Sequence, residues 1–214
     1  DPFPNPLLEA DPDPSVPGLI AVSEQIYPGQ LARAYQQGIF PWFDEDTPIL
    51  WWCPDPRAIL EFDNLYISKR LARTIRTNKF QVTFDQDFDA VVKGCTYRPE
   101  EGTWITPEVA NAYGEFHRSG HAHSVEVWQQ GVLVGGLYGV AIGGLFAGES
   151  MFSTVSDASK IALVALVSRL KEKGYQLFDL QIINEHTSSM GATEIPRDDY
   201  LARAKSAIKK DICF

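Results

Sequence analysis

Little in this chain invites metal, redox or membrane chemistry. It holds three cysteines, Cys53, Cys95 and Cys213, widely spaced and without a CxxC pair. That odd, scattered set points to reduced thiols in a cytoplasm and away from a zinc site or disulfide scaffold. The four histidines (117, 121, 123 and 186) have no cysteines at metal-binding spacing and are read as structural. No window approaches the roughly 18 uninterrupted apolar residues of a membrane-spanning helix. The N-terminal stretch also lacks the basic-then-apolar pattern of a secretory signal, so none is expected. Ser150 and Ser153 have no evident His–Asp partners, which argues against a serine hydrolase. Internal repeats are absent.

Basic residues are in deficit, 19 against 28 acids for a net charge of −9, which taken alone argues against a general nucleic-acid binder. The deficit is uneven. From Asn64 to Phe84 there is no acid, whereas Lys69, Arg70, Arg73, Arg76 and Lys79 are all basic. A hydrophobic content of 44%, with 12% aromatics, is that of a globular chain with a substantial core. In 214 residues there is room for one large domain or a small one followed by a medium one.

Residues 1–17 contain six prolines and read as an extended lead-in. Tyr27–Gly38 reads as a short helix, followed by an aromatic cluster between Phe40 and Trp52. Pro54–Arg57 is a plausible seam. It divides the chain into a small N-terminal domain, 1–57, and a larger domain, 58–214. In the larger part the pattern runs strand (Ala58–Phe62), helix (Ser68–Arg76), strand (Phe80–Phe84) and helix (Phe88–Cys95). Ser68 suits an N-cap, and Lys69, Arg73 and Arg76 fall on one stripe while Leu71 and Ile75 face inward. The loop Glu101–Ile105 leads to a helix over Pro107–Ser119, with Thr106 as its cap. Strands follow over Ser124–Gln129, Val132–Ile142 and Leu145–Ser153, with Gly143-Gly144 as a hairpin turn. Ser156 or Asp157 then caps a helix over Ala158–Lys173, a strand covers 174–183, and a turn and a helix over Arg197–Lys210 complete the pattern. The expected fold class is α/β (α+β). An antiparallel meander, a helix and one more strand resemble the GNAT-like, N-acetyltransferase-like order of elements.

The last of these strands carries the chemistry that stands out. Asp179 and Gln181 interrupt an apolar run at i, i+2, which puts both side chains on one strand face. A carboxylate beside a carboxamide there is costly to bury without partners. Such a pair is either a satisfied core hydrogen bond or part of a site.

Nine segments in order resemble the leucyl/phenylalanyl-tRNA–protein transferase family: YQQGIFPWF from Tyr35, PILWWCPDPR from Pro48, GTWI from Gly102, GHAHSVEVW from Gly120, VGGLYG from Val134, GESMFS from Gly148, ASK from Ala158, FDLQ from Phe178 and MGA from Met190. The resemblance covers about residues 18–200. It implies a small domain preceding a GNAT-like catalytic domain. It also implies transfer of leucine or phenylalanine from Leu-tRNA or Phe-tRNA to proteins beginning with Arg or Lys, which marks them for degradation by the N-end rule. By the same resemblance the catalytic residues fall on Asp179, Gln181 and Glu149. The aminoacyl-adenosine pocket takes in these three with Trp42, Trp104, Leu137 and Ser153, and the tRNA-facing helix carries Lys69, Arg73 and Arg76. The chain departs from the family's usual pattern at Ser23–Ile26, where Gly-Gly-Asp-Leu is usual, and at Cys53, Leu137 and Leu180.

This chemistry needs no cofactor and no metal, because an aminoacyl ester is already activated. The enzyme must place a neutral amine against the ester carbon and stabilise the oxyanion. A carboxamide is only a hydrogen-bond acceptor towards an amine. Two versions therefore stand: Asp179 holds Gln181, which orients the amine, or Asp179 is itself the base. Glu149 would engage the α-ammonium of the carried amino acid. Trp42 and Trp104 suit apolar walls and a stacking face for adenine. An acetyl-CoA-dependent N-acetyltransferase is the rival reading, weakened because the turn Ser153–Asp157 has no glycine and carries an acid. The same tRNA chemistry with altered acceptor specificity is a further alternative.

Overall fold

The computed structural model describes residues 3, 6, 15–44, 47–96 and 103–214. Most of the proline-rich lead-in, and Glu101 and Gly102 of the expected loop, lie outside these residues.

A small sheet comes first: β1 (Leu19–Ser23), then helix α1 (Pro28–Gln36), β2 (Phe40–Pro41) and β3 (Ile49–Trp52). Its order is β1-β3-β2, all antiparallel. The chain then enters a larger sheet with β4 (Arg57–Ile59), shorter than the strand expected over 58–62 because a 3-10 turn begins at Phe62. Next are α2 (Lys69–Arg76), β5 (Gln81–Phe84), α3 (Phe88–Thr96) and α4 (Pro107–Arg118). The meander β6 (Ala122–Gln129), β7 (Val132–Ile142) and β8 (Leu145–Ser153) leads through α5 (Ala158–Lys173) to β9 (Leu177–Gln181). Where only a turn was expected the chain forms α6 (Glu185–Ser189) and β10 (Thr193–Ile195), before α7 (Arg197–Ala207). The large sheet has the order β10-β4-β9-β8-β7-β6-β5. Among the described residues β8 and β9 are its parallel pair, as a helical crossover between them permits.

Local chemistry sets the element ends. The Ser68 hydroxyl accepts the Leu71 N–H at 3.1 Å and starts α2, and the Thr106 hydroxyl accepts the Val109 N–H at 3.3 Å ahead of Pro107. Gly174 ends α5 in the left-handed conformation, which costs a glycine nothing. The expected cap of α5 differs. Asp157 is the N-cap residue, but its carboxylate makes no capping bond and instead takes Arg70 of α2 at 2.8 Å.

Alternation along the strands of the large sheet builds two apolar layers. On one face Tyr138, Val140, Ala147 and Leu177 pack with α1, α3, α4, α7 and the small sheet. On the other, Leu137, Phe146, Phe178 and Leu180 pack with α2 and α5. Leu71 is buried and Ile75 partly so, which leaves Lys69, Arg70, Arg73 and Arg76 exposed on the outer side of α2.

Candidate active site

The parallel ladder between β8 and β9 runs Leu145↔Leu177, Phe146↔Phe178, Ala147↔Asp179 and goes no further. Two local irregularities stand just past its end. On β8 the pairing with β7 skips from Gly139↔Gly148 to Tyr138↔Ser150, so Glu149 is the extra residue of a bulge, which re-aims its side chain. On β9, Gln181 takes φ 64°, a left-handed conformation uncommon for a residue with a side chain, and the Ile182 N–H turns back to the Leu180 carbonyl at 2.7 Å. The strands part here, and the Gln181 Nε2 donates to Glu149 Oε1 across the gap at 2.8 Å.

Behind Gln181 lies a buried ion pair that fixes β9. Asp179 is fully buried and takes Arg57 in a bidentate fork, Nε to Oδ1 at 2.8 Å and Nη2 to Oδ2 at 2.7 Å. The Tyr200 hydroxyl donates to Oδ2 at 2.8 Å, and the Gln181 backbone N–H donates to Oδ1 at 2.9 Å. Arg57 also donates to the Gly38 carbonyl at 2.9 Å and lies over the rings of Phe40 and Tyr200. Burial works against the guanidinium's charge, but the adjacent Asp179 carboxylate prevails and holds its pKa above the ordinary value. The link between Asp179 and Gln181 is therefore made through the backbone amide. It holds the strained turn in place.

In front of the ion pair, Glu149 is held above the ordinary carboxylate range. Burial raises its carboxyl from 4.5 to about 7, against hydrogen bonds from Tyr35, Tyr113 and Gln181 that favour the carboxylate. The Tyr113 hydroxyl donates to Glu149 Oε2 at 3.0 Å, and the Tyr35 and Tyr113 hydroxyls share a bond of 2.6 Å. Burial, with Glu149 beside them, pushes both phenols well above their ordinary value, so they remain donors.

Glu149 and Gln181 border a cavity of about 760 Å³ that opens where β8 and β9 part. Trp42, Trp104, Leu137, Ser153, Glu149 and Gln181, all singled out from the sequence, line it together. Leu137 is buried in its apolar depth beside Leu163 and Leu180, while Trp42 is 49% exposed at its mouth. Asp179 is not on the wall, a correction to its expected place in the pocket: its oxygens are all taken and Gln181 stands in front. Lys69, Arg73 and Arg76 lie outside the cavity, on α2. His117, His121 and His123 are held by Ala122, Ser119 and Asp85 as structural residues. His186 differs from that reading: it borders the cavity, and its buried Nε2 has no hydrogen-bond partner. Among the described residues no cluster of three or more His, Cys, Asp or Glu is grouped to hold a metal, and no helix is long and apolar enough to cross a membrane.

Sequence reasoning missed Arg57, Tyr200, Tyr113 and Tyr35. Arg57 carried a signal, since a cation opening the apolar run Ala58–Leu60 requires a buried acid, as Asp179 on its own apolar strand requires a buried cation. The tyrosines carried none, because helical tyrosines are ordinary core residues.

The family models and the curated relatives name the same family. A family model described as leucyl/phenylalanyl-tRNA protein transferase matches residues 59–205, and one for that family's N-terminal domain matches 24–55. Curated relatives named leucyl/phenylalanyl-tRNA–protein transferase include one from Edwardsiella ictaluri, 52% identical over 93% of this chain and 81% of its own length. One from Hydrogenovibrio crunogenus is 49% identical over 97% and 81%. One from Pseudomonas fluorescens is 50% identical over 92% and 89%. Solved structures are only loosely similar. L-PGS from Bacillus licheniformis is 15% identical, with TM-score 0.41 over 78% of this chain and 54% of that one. A GCN5-related N-acetyltransferase from Kribbella flavida is 13% identical, with TM-score 0.36 over 79% and 61%.

Proposed function

This chain belongs to the leucyl/phenylalanyl-tRNA–protein transferase family, and from that premise we propose that its cavity passes a leucyl or phenylalanyl group from charged tRNA to the α-amine of a protein beginning with Arg or Lys. The chain is an aminoacyltransferase, and its substrates are an aminoacyl-tRNA and a protein N-terminus. The observation that carries the detailed reading is the Glu149–Gln181 bridge at the open end of β8 and β9, facing a cavity with an apolar depth and two tryptophans.

In the step itself the amine nitrogen bonds to the ester carbon and the bond from that carbon to the ribose oxygen breaks. One proton leaves the amine and one reaches the ribose oxygen. The Gln181 amide gives its N–H to Glu149, which leaves its carbonyl oxygen to accept an N–H of the incoming amine and aim the lone pair at the ester. An N-terminal amine has a pKa of about 7.7–8.0, so a carboxyl near 7 suits the acceptance of its proton and its return to the leaving oxygen. That assigns Glu149 a proton role in place of simple capture of the donor's ammonium. Asp179 is a positioning residue: it holds Gln181 through the backbone and does not meet substrate. Leu137, Leu163 and Leu180 form the seat for a Leu or Phe side chain, and Trp42 and Trp104 flank the terminal adenosine. Ser153 lies at the same rim, its hydroxyl bonded to the Val155 carbonyl at 2.6 Å. The boundary between small and catalytic domains is assigned to the seam that begins at Pro54, just ahead of β4, in place of 57/58, which would cut that strand, and the reaction to the cytoplasm, where charged tRNA is found. Acetyl-CoA chemistry is disfavoured, since the turn before α5 carries the Asp157 carboxylate, already paired with Arg70, where a pyrophosphate would sit.

The test offers the purified protein Leu-tRNA, Phe-tRNA or Arg-tRNA, with peptides beginning in Arg, Lys, Asp or Ala. Transfer of Leu or Phe to the Arg and Lys peptides is expected. Transfer to Asp peptides instead would overturn the acceptor assignment, and no transfer from any charged tRNA would overturn the donor.

A further inference from the structure

Between the cavity and α2 runs a short segment that the aminoacyl pocket does not use. The Tyr66 N–H donates to the Met190 carbonyl at 2.9 Å, and Gly191 lies so close to this segment that a Cβ there would collide with the Asn64 carbonyl. The backbone is therefore seated on the end of α6, whose residues up to Thr187 line the cavity. Met190 is three residues beyond Thr187, roughly 5 Å along a helix axis. On this fixed backbone the Tyr66 ring is 61% exposed and Ile67 38% exposed. Among the described residues the Tyr66 side chain has neither a hydrogen bond nor a ring partner.

The surroundings decide what such a ring meets. The segment leads directly into α2, where Arg70 is neutralised by Asp157 while Lys69, Arg73 and Arg76 have no acidic partner among the described residues. A flat aromatic face beside unpaired cations, on a backbone seated against Met190 and Gly191, suits the bases and phosphates of a single-stranded nucleic acid. The same cations would repel a protein beginning with Arg or Lys, which argues for the donor over the acceptor as occupant.

We propose that Tyr66, with Ile67 as an apolar ledge, is a stacking platform for an unpaired nucleotide of the donor tRNA's 3′ end, just upstream of the terminal adenosine. This rests on the reading of the cavity as an aminoacyl-tRNA site. The platform guides the strand from the cavity mouth to the phosphate contacts of α2.

The test compares Tyr66→Ala and Tyr66→Phe with the parent on two donors, full Leu-tRNA and a minimal 3′-leucyl-adenosine, with a fixed Arg-peptide. For Tyr66→Ala the KM for Leu-tRNA is expected to rise about tenfold, as for loss of one base–aromatic stack. Its kinetics with leucyl-adenosine are expected to stay unchanged, which also verifies that the variant folds, and Tyr66→Phe is expected to behave as the parent. An unchanged KM for Leu-tRNA, an equal loss with both donors, or a rise confined to the peptide's KM would each overturn the platform. A parent inactive on both donors would overturn the reading of the cavity itself.

Discussion

At the scale of single residues, Glu149 combines a proton-handling position with a cost to stability. Its carboxyl binds a proton more tightly folded than unfolded, since burial lifts it from 4.5 to about 7. Its favourable contribution is thus fully present below about pH 4.5 and is lost as pH rises through 7, a span worth roughly 3 kcal/mol at most. Glu149→Gln removes that dependence. Urea unfolding is expected to find the variant more stable than the parent at pH 8.5, with the gap closing towards pH 4.5. Catalysis moves the opposite way: transfer slows about a hundredfold, the scale of a lost general base, and the inflection near pH 7 disappears from the rate profile. Only the limb set by the substrate amine remains. A variant with parental rates and the pH 7 inflection intact would return Glu149 to a purely structural role.

At the scale of elements, α2 holds its cations outward because Leu71 anchors one side and Ser68 fixes the first turn. Arg70 is tied to the start of α5, which leaves Lys69, Arg73 and Arg76 without an acidic partner among the described residues, the three cations proposed to meet phosphates. Each phosphate contact adds about 0.7–0.9 to the slope of log affinity against log salt. Arg73→Gln is therefore expected to raise the KM for charged tRNA at low salt and lower that slope by close to one contact, with kcat unchanged. A slope equal to the parent's would remove Arg73 from the interface.

Helices such as α2 and α4 were legible in the sequence because hydroxyl caps, an N1 proline and apolar spacing act within a few residues of one another. The cavity's wall residues were legible through the family resemblance, which marked the residues without their geometry. Two features at the centre of the site were not. The bulge at Glu149 is a slip in pairing with β7, and the left-handed turn at Gln181 is held by Asp179, itself fixed by Arg57 and Tyr200 of other elements, so neither follows from local propensity. The anchoring pair Arg57–Asp179 spans 122 residues of chain. Its only local trace was a charge on each of two apolar strands, a debt of solvation that named no creditor. Asp157 shows the converse: a good capping residue by type is drawn away from its helix by Arg70.

At the scale of the whole molecule, the chain divides in sequence more sharply than in space. Ile20, Leu31, Tyr35 and Trp51 of the small sheet and its helix share one apolar layer with Val91, Tyr113, Tyr138 and Tyr200 of the larger part. Arg57 adds a polar rivet, joining the Gly38 carbonyl on one side to Asp179 on the other. Without surface of its own to close over, the small sheet has no reason to melt separately. Tryptophan fluorescence, three of whose five reporters are Trp42, Trp51 and Trp52, is expected to follow the same thermal transition as far-UV circular dichroism. Arg57→Ala leaves the Asp179 carboxylate buried without its cation, a loss of about 3–5 kcal/mol. Hydrogen exchange should show that loss equally in amides of β3 and of β8, because both are protected by the same global unfolding. Two separated transitions, or a loss confined to β9 and its neighbours, would mean that the small domain is an independent unit resting against the catalytic sheet.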